Sequence, residues 1–319
     1  MADLRGGIDL GGTKIQAVIV EAEGTLRGEA RQPTPTSGGP ADVARAMEDA
    51  LREAAAAAGV KPEQLAGVGV GSPGDVDGGS GVVSGARNLP DWEGSFPLGE
   101  TLARALGTEV RAGNDVQVAV EGEYALGAGK QHGSLLGVWW GTGVGGGLIL
   151  NGEPWLGRGA AGEIGHMVVK RNGARCPCGR RGCLEAYAGR AAMEAKARHE
   201  QSQGVKTELF EIMEKRGKDR LTSSVWEHAL REGDALTESL LHRAIRYLGT
   251  GIASAVNLLD VEAVVIGGGL GVRFGDRFMD HLGKEMHKHL FLDDNPPHLQ
   301  VAELGDFGGA IGASLLVGR

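Results

Sequence analysis

The sequence predicts an α/β protein of two related lobes, and three observations carry that reading. A strand, glycine turn, strand unit occurs twice, apolar helices alternate with β-rich runs, and 319 residues exceed one ordinary domain. In the first copy, Ile8 to Leu10 and Val18 to Val20 flank Gly11-Gly12-Thr13-Lys14. In the second, Leu135 to Trp140 leads into GTGVGGG at 141–147, and Leu148 to Leu150 resumes before the turn pair Asn151-Gly152.

The other elements follow from periodicity. Ala41 to Ala58 sets Val43, Met47, Ala50 and Leu51 at helical spacing, and Leu65 to Val70 alternates glycine with apolar residues as a buried strand does. Val116 to Ala125 reads as a helix. Leu240 to Leu259 repeats apolar residues every three or four positions (Leu241, Ile245, Leu248, Ile252, Val256), which makes it a long amphipathic helix. It feeds a strand, Glu262 to Ile266, closed by Gly267-Gly268-Gly269, with Arg273 to His289 helical beyond. Thr207 to Glu232 is polar and weakly periodic and reads as short surface helices with no functional assignment.

Composition narrows the partners. The formal charge is -8 and no Lys/Arg-rich run occurs, which argues against nucleic acid or an anionic membrane surface and for a small molecule. No run of about 18 apolar residues appears, and the first nine residues lack the basic start and apolar middle of a signal peptide, so the expected location is the cytoplasm. The 56 glycines cluster directly after apolar segments, as they would where backbone approaches a ligand.

A glycine turn between strands can be only a tight turn, or it can offer converging N–H donors to phosphate. Its repetition in matched units favours the second use. In the first loop Asp9 would hold Mg²⁺, directly or through water, with Gly11 and Gly12 as cradle and Thr13 and Lys14 aimed at phosphate oxygens. In the second, Gly141, Thr142, Gly143, Gly145 and Gly146 would serve. Gly141-x-Gly143-x-x-Gly146 matches the dinucleotide fingerprint formally, but a strand follows it where that fingerprint requires a helix. Gly129-Lys130 lacks the earlier glycine and the following Ser/Thr of a P-loop.

All three cysteines lie between Cys176 and Cys183, an odd number unsuited to a disulfide framework within one chain. His166, Cys176, Cys178 and Cys183 form the ligand set of a closed tetrahedral zinc site, with Gly179 and Gly182 letting the loop wrap the ion. Four protein ligands fill the shell, so the zinc is expected to be structural.

With these motifs in view, DLGGTK at 9–14, GTGVGGG at 141–147, AGEIGHM at 161–167 and CPCGRRGCLEAYAG at 176–189, the sequence resembles the ROK family (repressors, open reading frames and kinases). The motifs run in family order from Asp9 to the glycines near 267–271. The resemblance implies an actin-like ATPase (ribonuclease H-like) fold, with residues 1–113 and 303–319 as a small lobe, 114–302 as a large one and the active site in the cleft between them. It implies that the phosphates of Mg-ATP lie on Asp9 to Lys14 and Gly141 to Gly147, and the adenosine near Gly267, Gly268 and Gly269. Asn114 and Asp115 stand where family kinases place a sugar-binding Asn and the catalytic base, although helix capping is an equal reading of the residues alone. Glu163, His166 and Glu185 correspond to sugar contacts, and one nitrogen of His166 would bind zinc while the other meets a sugar hydroxyl. Loss of zinc would then weaken sugar binding while leaving the phosphate contacts in place.

Most similar in pattern is a bacterial ATP-dependent glucokinase, giving glucose 6-phosphate and ADP. N-acetylglucosamine, N-acetylmannosamine, mannose, fructose and allose stay open as substrates, as does polyphosphate as donor. The loops at Ser72 to Gly74 and Asn88 to Trp92 would decide among the sugars. A regulator without catalysis is the other class. Family repressors carry a helix-turn-helix ahead of the first phosphate motif, for which Asp9 leaves no room here, and the base and the DLGGTK loop are both intact. A homodimer or homotetramer is implied by the resemblance alone. Trp139-Trp140 is expected to put one ring in the core and the other toward solvent or a subunit.

Overall fold

The computed structural model describes residues 3–86, 88–292 and 294–318, and the duplication read from the two glycine turns recurs in its two main sheets. In the first, β1 (Arg5–Leu10), β2 (Lys14–Val20) and β3 (Leu26–Pro33) form an antiparallel meander, and α1 (Gly39–Ala57) carries the chain to β4 (Val68–Ser72), parallel to β1. A small sheet of β5 (Asp75–Asp77), β6 (Val82–Ser84) and β7 (Ser95–Phe96) follows, then α2 (Leu98–Leu106) and β8 (Val110–Asn114), which joins β4 in parallel. The order is β3-β2-β1-β4-β8, and α3 (Asp115–Leu126) leaves the last strand directly.

The second sheet repeats the scheme. β9 (Leu135–Trp140) and β10 (Val144–Leu150) are an antiparallel hairpin. Helices α4 (Glu185–Ala188), α5 (Arg190–Ser202), α6 (Leu209–Lys215), α7 (Ser223–Arg231) and α8 (Ala235–Leu259) come next. Then β11 (Ala263–Gly267) returns parallel to β9, α9 (Gly268–His287) follows, and β12 (His298–Val301) adds in parallel to β11. The order β10-β9-β11-β12 matches β2-β1-β4-β8 in sequence and direction.

The chain forms two compact units, Met1–Gln131 with Glu153–Ala161 and Glu303–Arg319, and His132–Gly152 with Gly162–Ala302; positions 1–2, 87, 293 and 319 lie outside the described residues. Here 114–131 goes with the first unit, whereas the sequence division put it in the large lobe. The reason is packing with α10 (Gly308–Ser314). Where α3 crosses α10, a Cβ on Gly122 would fall 2.8 Å from the Gly312 Cα, and one on Gly312 only 2.0 Å from the Val118 carbonyl oxygen. The same helix lies on the first sheet, because a Cβ on Gly7 or Gly69 would strike the carbonyls of Ala310 and Ala313 at 1.9 and 1.7 Å. At the end of α3 the buried Glu123 carboxylate accepts the N–H groups of Ala128, Glu303 and Leu304 at 3.0, 3.0 and 2.9 Å. One side chain thereby ties the exit from α3 to the segment that enters α10.

Each unit buries its own core. In the first, Ile8, Leu10 and Ile15 of the β1–β2 hairpin pack with Val43, Met47 and Leu51 of α1, the face read from the helical spacing. In the second, α8 packs on α9 and buries Leu241, Ile245, Leu248 and Ile252. Several ends differ from the sequence reading. α8 begins five residues earlier than Leu240, capped by Asp234, whose carboxylate accepts the Thr237 N–H at 2.7 Å. α9 starts within the glycine run itself rather than at Arg273. β4 starts at Val68 because Pro62–Gln64 forms a 3₁₀ turn just before Leu65. The 207–232 segment is not merely a surface feature, since Leu209, Val225 and Trp226 are fully buried. No helix among the described residues is long and apolar enough to cross a membrane.

Candidate active site

In a parallel sheet the carboxyl ends of neighbouring strands fall side by side, and that is where open α/β sheets bind ligands. In the first unit Asp9 of β1 pairs in register with Gly71 of β4, and Ser72 with Asn114 of β8. Asp9, the Ser72 loop and the Asn114-Asp115 pair therefore share one sheet edge, with Asp9 and Asn114 two strands, or roughly 10 Å, apart.

Beyond Asp9 the chain turns back at once, with Gly11 N donating to Lys14 O at 3.0 Å. Thr34, just past β3, clamps this turn, its Oγ1 donating to Gly11 O at 2.6 Å and its N to Thr13 O at 3.2 Å. Gly12 packs on Asn88, where a Cβ would be 3.1 Å from the Asn88 carbonyl oxygen, so the first glycine turn touches the loop expected to select the sugar. Burial raises the Asp9 carboxyl to about 6, with Lys14 pulling the other way. Lys14 is itself lowered by burial. Its ammonium lies 3.9 Å from Asp306, which also takes a 3.0 Å hydrogen bond from Arg31.

Asn114 does cap α3. Its Oδ1 accepts the N–H groups of Val116 and Gln117, both at 3.1 Å. Asp115 occupies the first turn, its Oδ1 accepting the Val116 N–H at 2.9 Å, which fixes the carboxylate at the sheet edge. Capping is thus how the fold holds the pair at the sheet edge.

The second unit carries the other expected residues. Its hairpin closes with Gly141 N donating to Gly143 O at 3.0 Å. Gly146 and Gly162 lie back to back, and a Cβ on Gly165 would fall 1.8 Å from the Val144 carbonyl oxygen, so AGEIGHM is laid directly along GTGVGGG. Gly268 has φ +78, and a Cβ there would meet the Trp140 backbone at 2.7 Å; glycine alone fits. A Cβ on Gly141 would lie 4.0 Å from the Gly269 N, which makes the hairpin turn and the start of α9 neighbours. Trp140 is buried, its Nε1 donating to Ala188 O at 2.7 Å. Trp139 lies against Gly267.

His166, Cys176, Cys178 and Cys183 come together, all four ligand atoms within 4.8 Å of one another. Cys176 Sγ is 3.8 Å from His166 Nδ1, and Cys178 Sγ 3.8 Å from Cys183 Sγ. A tetrahedron with Zn–S arms of about 2.3 Å has edges of about 3.8 Å, so the spacing and the donor chemistry fit a metal ion. Gly179 and Gly182, at φ +90 and +86, make the turns expected of them. Burial pushes the Cys176 thiol up to about 12 and raises that of Cys183, while the Arg180 backbone N–H holds Cys178 down. A cation at this site must displace those protons, so its affinity drops as the solution is acidified. His166 Nε2 faces away from the thiols, 3.9 Å from Glu163 Oε2.

Glu185, the first residue of α4, links these parts. Its Oε2 accepts the Val144 N–H at 3.1 Å, and its Oε1 lies 3.8 Å from Cys176 Sγ. A Cβ on Gly143 would be 2.1 Å from the same carboxylate. The sequence reading assigned Glu185 to the sugar alone and missed this bracing of the hairpin. It also missed Arg190, whose Nη2 donates to Thr142 Oγ1 at 2.7 Å, as well as Thr34 and Asp306, because none of these stands near its partner in the chain.

Two matched sheets, each closed by a glycine hairpin at the same strand connection, define the class as the actin-like ATPase fold. The chain belongs to the ROK family, whose pattern it matches over residues 5–319. It is 33% identical to a glucokinase of Thermotoga maritima, over 98% of this chain and 96% of that protein. It is 31% identical to an N-acetylmannosamine kinase of Haemophilus influenzae, over 97% and 94%. Among solved structures it is similar to a ROK family glucokinase from Streptomyces griseus in complex with glucose and AMPPNP, with a TM-score of 0.83, 32% identity and coverage of 98% of this chain and 99% of that one.

Proposed function

We propose that this protein is an ATP-dependent glucokinase, moving the γ-phosphoryl group of ATP to the 6-hydroxyl of glucose to give glucose 6-phosphate and ADP. The observation that carries the reading is the placement of Glu185, which braces the second glycine hairpin with one oxygen and faces the Cys/His cluster with the other. Recognition of phosphate and of vicinal hydroxyls would then be built as one piece. The likeness to glucokinases over nearly the whole chain supports glucose as the sugar.

In this reading Asp115 accepts the proton of the sugar hydroxyl as its oxygen bonds to the γ-phosphorus and the bond to the β-phosphate oxygen breaks. Asn114, whose Oδ1 is committed to the cap, offers its Nδ2 donor to a sugar hydroxyl. Glu163, His166 Nε2 and Glu185 take the remaining hydroxyls. Asp9 would act there through Mg²⁺ and Lys14 would meet phosphate oxygens at the first turn, and the backbone donors of 141–146 and 267–269 would serve phosphate and adenosine at theirs. Asp9 would hold Mg²⁺, directly or through water, and the ion would neutralise charge on the transferred group. His166, Cys176, Cys178 and Cys183 would hold a structural zinc, which would fix the angle of the His166 ring. Action in the cytoplasm agrees with this chemistry and with thiolate ligands kept reduced.

The test is sugar-dependent ADP release from Mg-ATP across glucose, mannose, fructose, N-acetylglucosamine, N-acetylmannosamine and allose, repeated with polyphosphate as donor. Glucose is expected to give the highest kcat/KM. A higher value for N-acetylmannosamine, which the Haemophilus relative makes the second candidate, would keep the mechanism and replace the substrate. Silence on every sugar would sink the kinase reading.

A further inference from the structure

We infer that Arg190 is a positioning residue for nucleotide phosphate, acting through Thr142 by fixing that hydroxyl so that its proton is presented to the ligand. The inference rests on the reading of the second hairpin as a phosphate clamp. α5 begins at Arg190 and grips the turn three times. Arg190 N donates to Gly141 O at 3.0 Å, Ala191 N donates to Thr142 O at 3.0 Å, and Arg190 Nη2 donates to Thr142 Oγ1 at 2.7 Å. The other arm of the guanidinium is braced, since Nη1 donates to Leu221 O at 2.7 Å, and Leu221 N donates to Glu194 Oε2 at 2.9 Å. Residues 190 and 194, one turn apart on α5, therefore hold the buried Leu221 from both of its backbone groups.

The chemistry follows from the hydroxyl's inventory. A threonine hydroxyl has one proton and two lone pairs. Arg190 fills a lone pair with a charged donor, which strengthens the hydroxyl as a donor in its turn. The carbonyls of Gly141 and Thr142 each already accept a backbone N–H, from Arg190 and Ala191, which weakens their competition for that proton. An incoming phosphate oxygen supplies the acceptor. The Glu185 carboxylate, pressed against Gly143 and bonded to Val144 N, holds the turn in register. Burial, together with the neighbouring Arg220, holds the Arg190 guanidinium below its ordinary pKa, with Glu194 opposing; an anion at the turn relieves the like-charge part of that strain. Lysine keeps the charge but not the fork, and cannot reach Thr142 and Leu221 in the same way.

The experiment compares Arg190→Lys, Thr142→Val, Thr142→Ser and the double variant Arg190→Lys/Thr142→Val. ATP and adenosine affinities are measured by calorimetry, and KM values for ATP and glucose by ADP release. Arg190→Lys and Thr142→Val should each weaken ATP about 10- to 100-fold while adenosine affinity and the KM for glucose stay within about twofold. Thr142→Ser should stay near wild type, and the double variant should be no worse than Thr142→Val. Equal losses for ATP and adenosine, or additive losses in the double variant, would overturn the inference. If Arg190→Lys does not fold, a Thr142→Val protein with undiminished ATP affinity overturns it alone. A wild type that binds no ATP removes the phosphate-clamp reading itself, an outcome distinct from wild-type binding without the selective losses.

Discussion

The two glycine hairpins occupy equivalent places in equivalent sheets, yet they are equipped in different ways. The first carries its own charges, Asp9 before the turn and Lys14 after it, and the Asn114-Asp115 pair proposed for the sugar and its proton sits on the same sheet edge at the start of α3. The second turn has no ionisable residue of its own. It takes a carboxylate from Glu185, 41 positions from Val144, and a guanidinium from Arg190, 48 positions from Thr142. Duplication supplied the same backbone cradle twice. The 162–190 stretch, laid against the second copy, then brought charge and the Cys/His cluster to it together. On the proposed roles, proton transfer falls to the first unit and the geometry of the second hairpin to Glu185 and Arg190, so damage to each should read out differently.

The largest effect belongs to the first unit. Asp115→Asn keeps the shape and the first-turn position but cannot accept the hydroxyl proton, and kcat should fall about 10²- to 10⁴-fold with the calorimetric glucose affinity within about threefold. Asp115→Ala should behave alike. Turnover near wild type would remove Asp115 as base, and a matching loss of glucose affinity would make it a sugar ligand instead.

Next comes the metal cluster. Purified protein is expected to hold about one zinc per chain in its Cys₃His site, and far less in reducing buffer would count against the site. Cys176→Ser, or removal of zinc by a chelator, should weaken glucose about 10- to 100-fold through the loosened His166 ring. The 3.8 Å approach of Glu185 to Cys176 adds a consequence that the sequence reading denied, since ATP should weaken as well, by a smaller factor, because Glu185 also holds Val144. Calorimetry of both ligands on zinc-loaded and stripped protein decides it. Unchanged ATP affinity would show that the two functions of Glu185 are not coupled.

What the sequence could reveal follows the same division. The first hairpin was readable because its strands, turn glycines and charged residues are contiguous, and the clustering of His166 with the three cysteines because thiols and imidazole at that spacing have few other uses. The duplication was readable because a glycine run after an apolar strand marks a turn wherever it occurs. Arg190 and Thr34 were not, since an arginine at a helix start and a threonine after a strand carry no local sign of a partner so far along the chain. The burial of Trp226 and Val225 was missed for a related reason. α6 and α7 are each too short to show a helical period clearly, and only packing reveals their inner faces. The unit boundary was hidden too, because α3 belongs to the first unit through Gly122 meeting Gly312, a contact between positions 190 apart.

The smallest effect separates the two hairpins by stability. Burial raises the Asp9 carboxyl from an ordinary 3.8 to about 6. Between those values the folded protein binds more protons than the unfolded chain, so stability falls as pH rises through that window and stays lower above it. Asp9→Asn removes the buried charge. Measured without Mg²⁺, it should be more stable than wild type at pH 7.5 by on the order of 1–2 kcal/mol, after allowance for partial exposure, a gain of a few degrees in Tm. The gain should shrink as pH falls through that window and vanish only well below the unfolded value of 3.8, where both states carry a protonated Asp9, while phosphoryl transfer by the variant drops sharply. Thr142→Val, in the hairpin that has no charge of its own, should show no stability gain that depends on pH over the same range. A Tm difference between Asp9→Asn and wild type that stays constant with pH would mean that Asp9 costs the fold nothing, and the contrast drawn between the two turns would have to rest on their ligands alone.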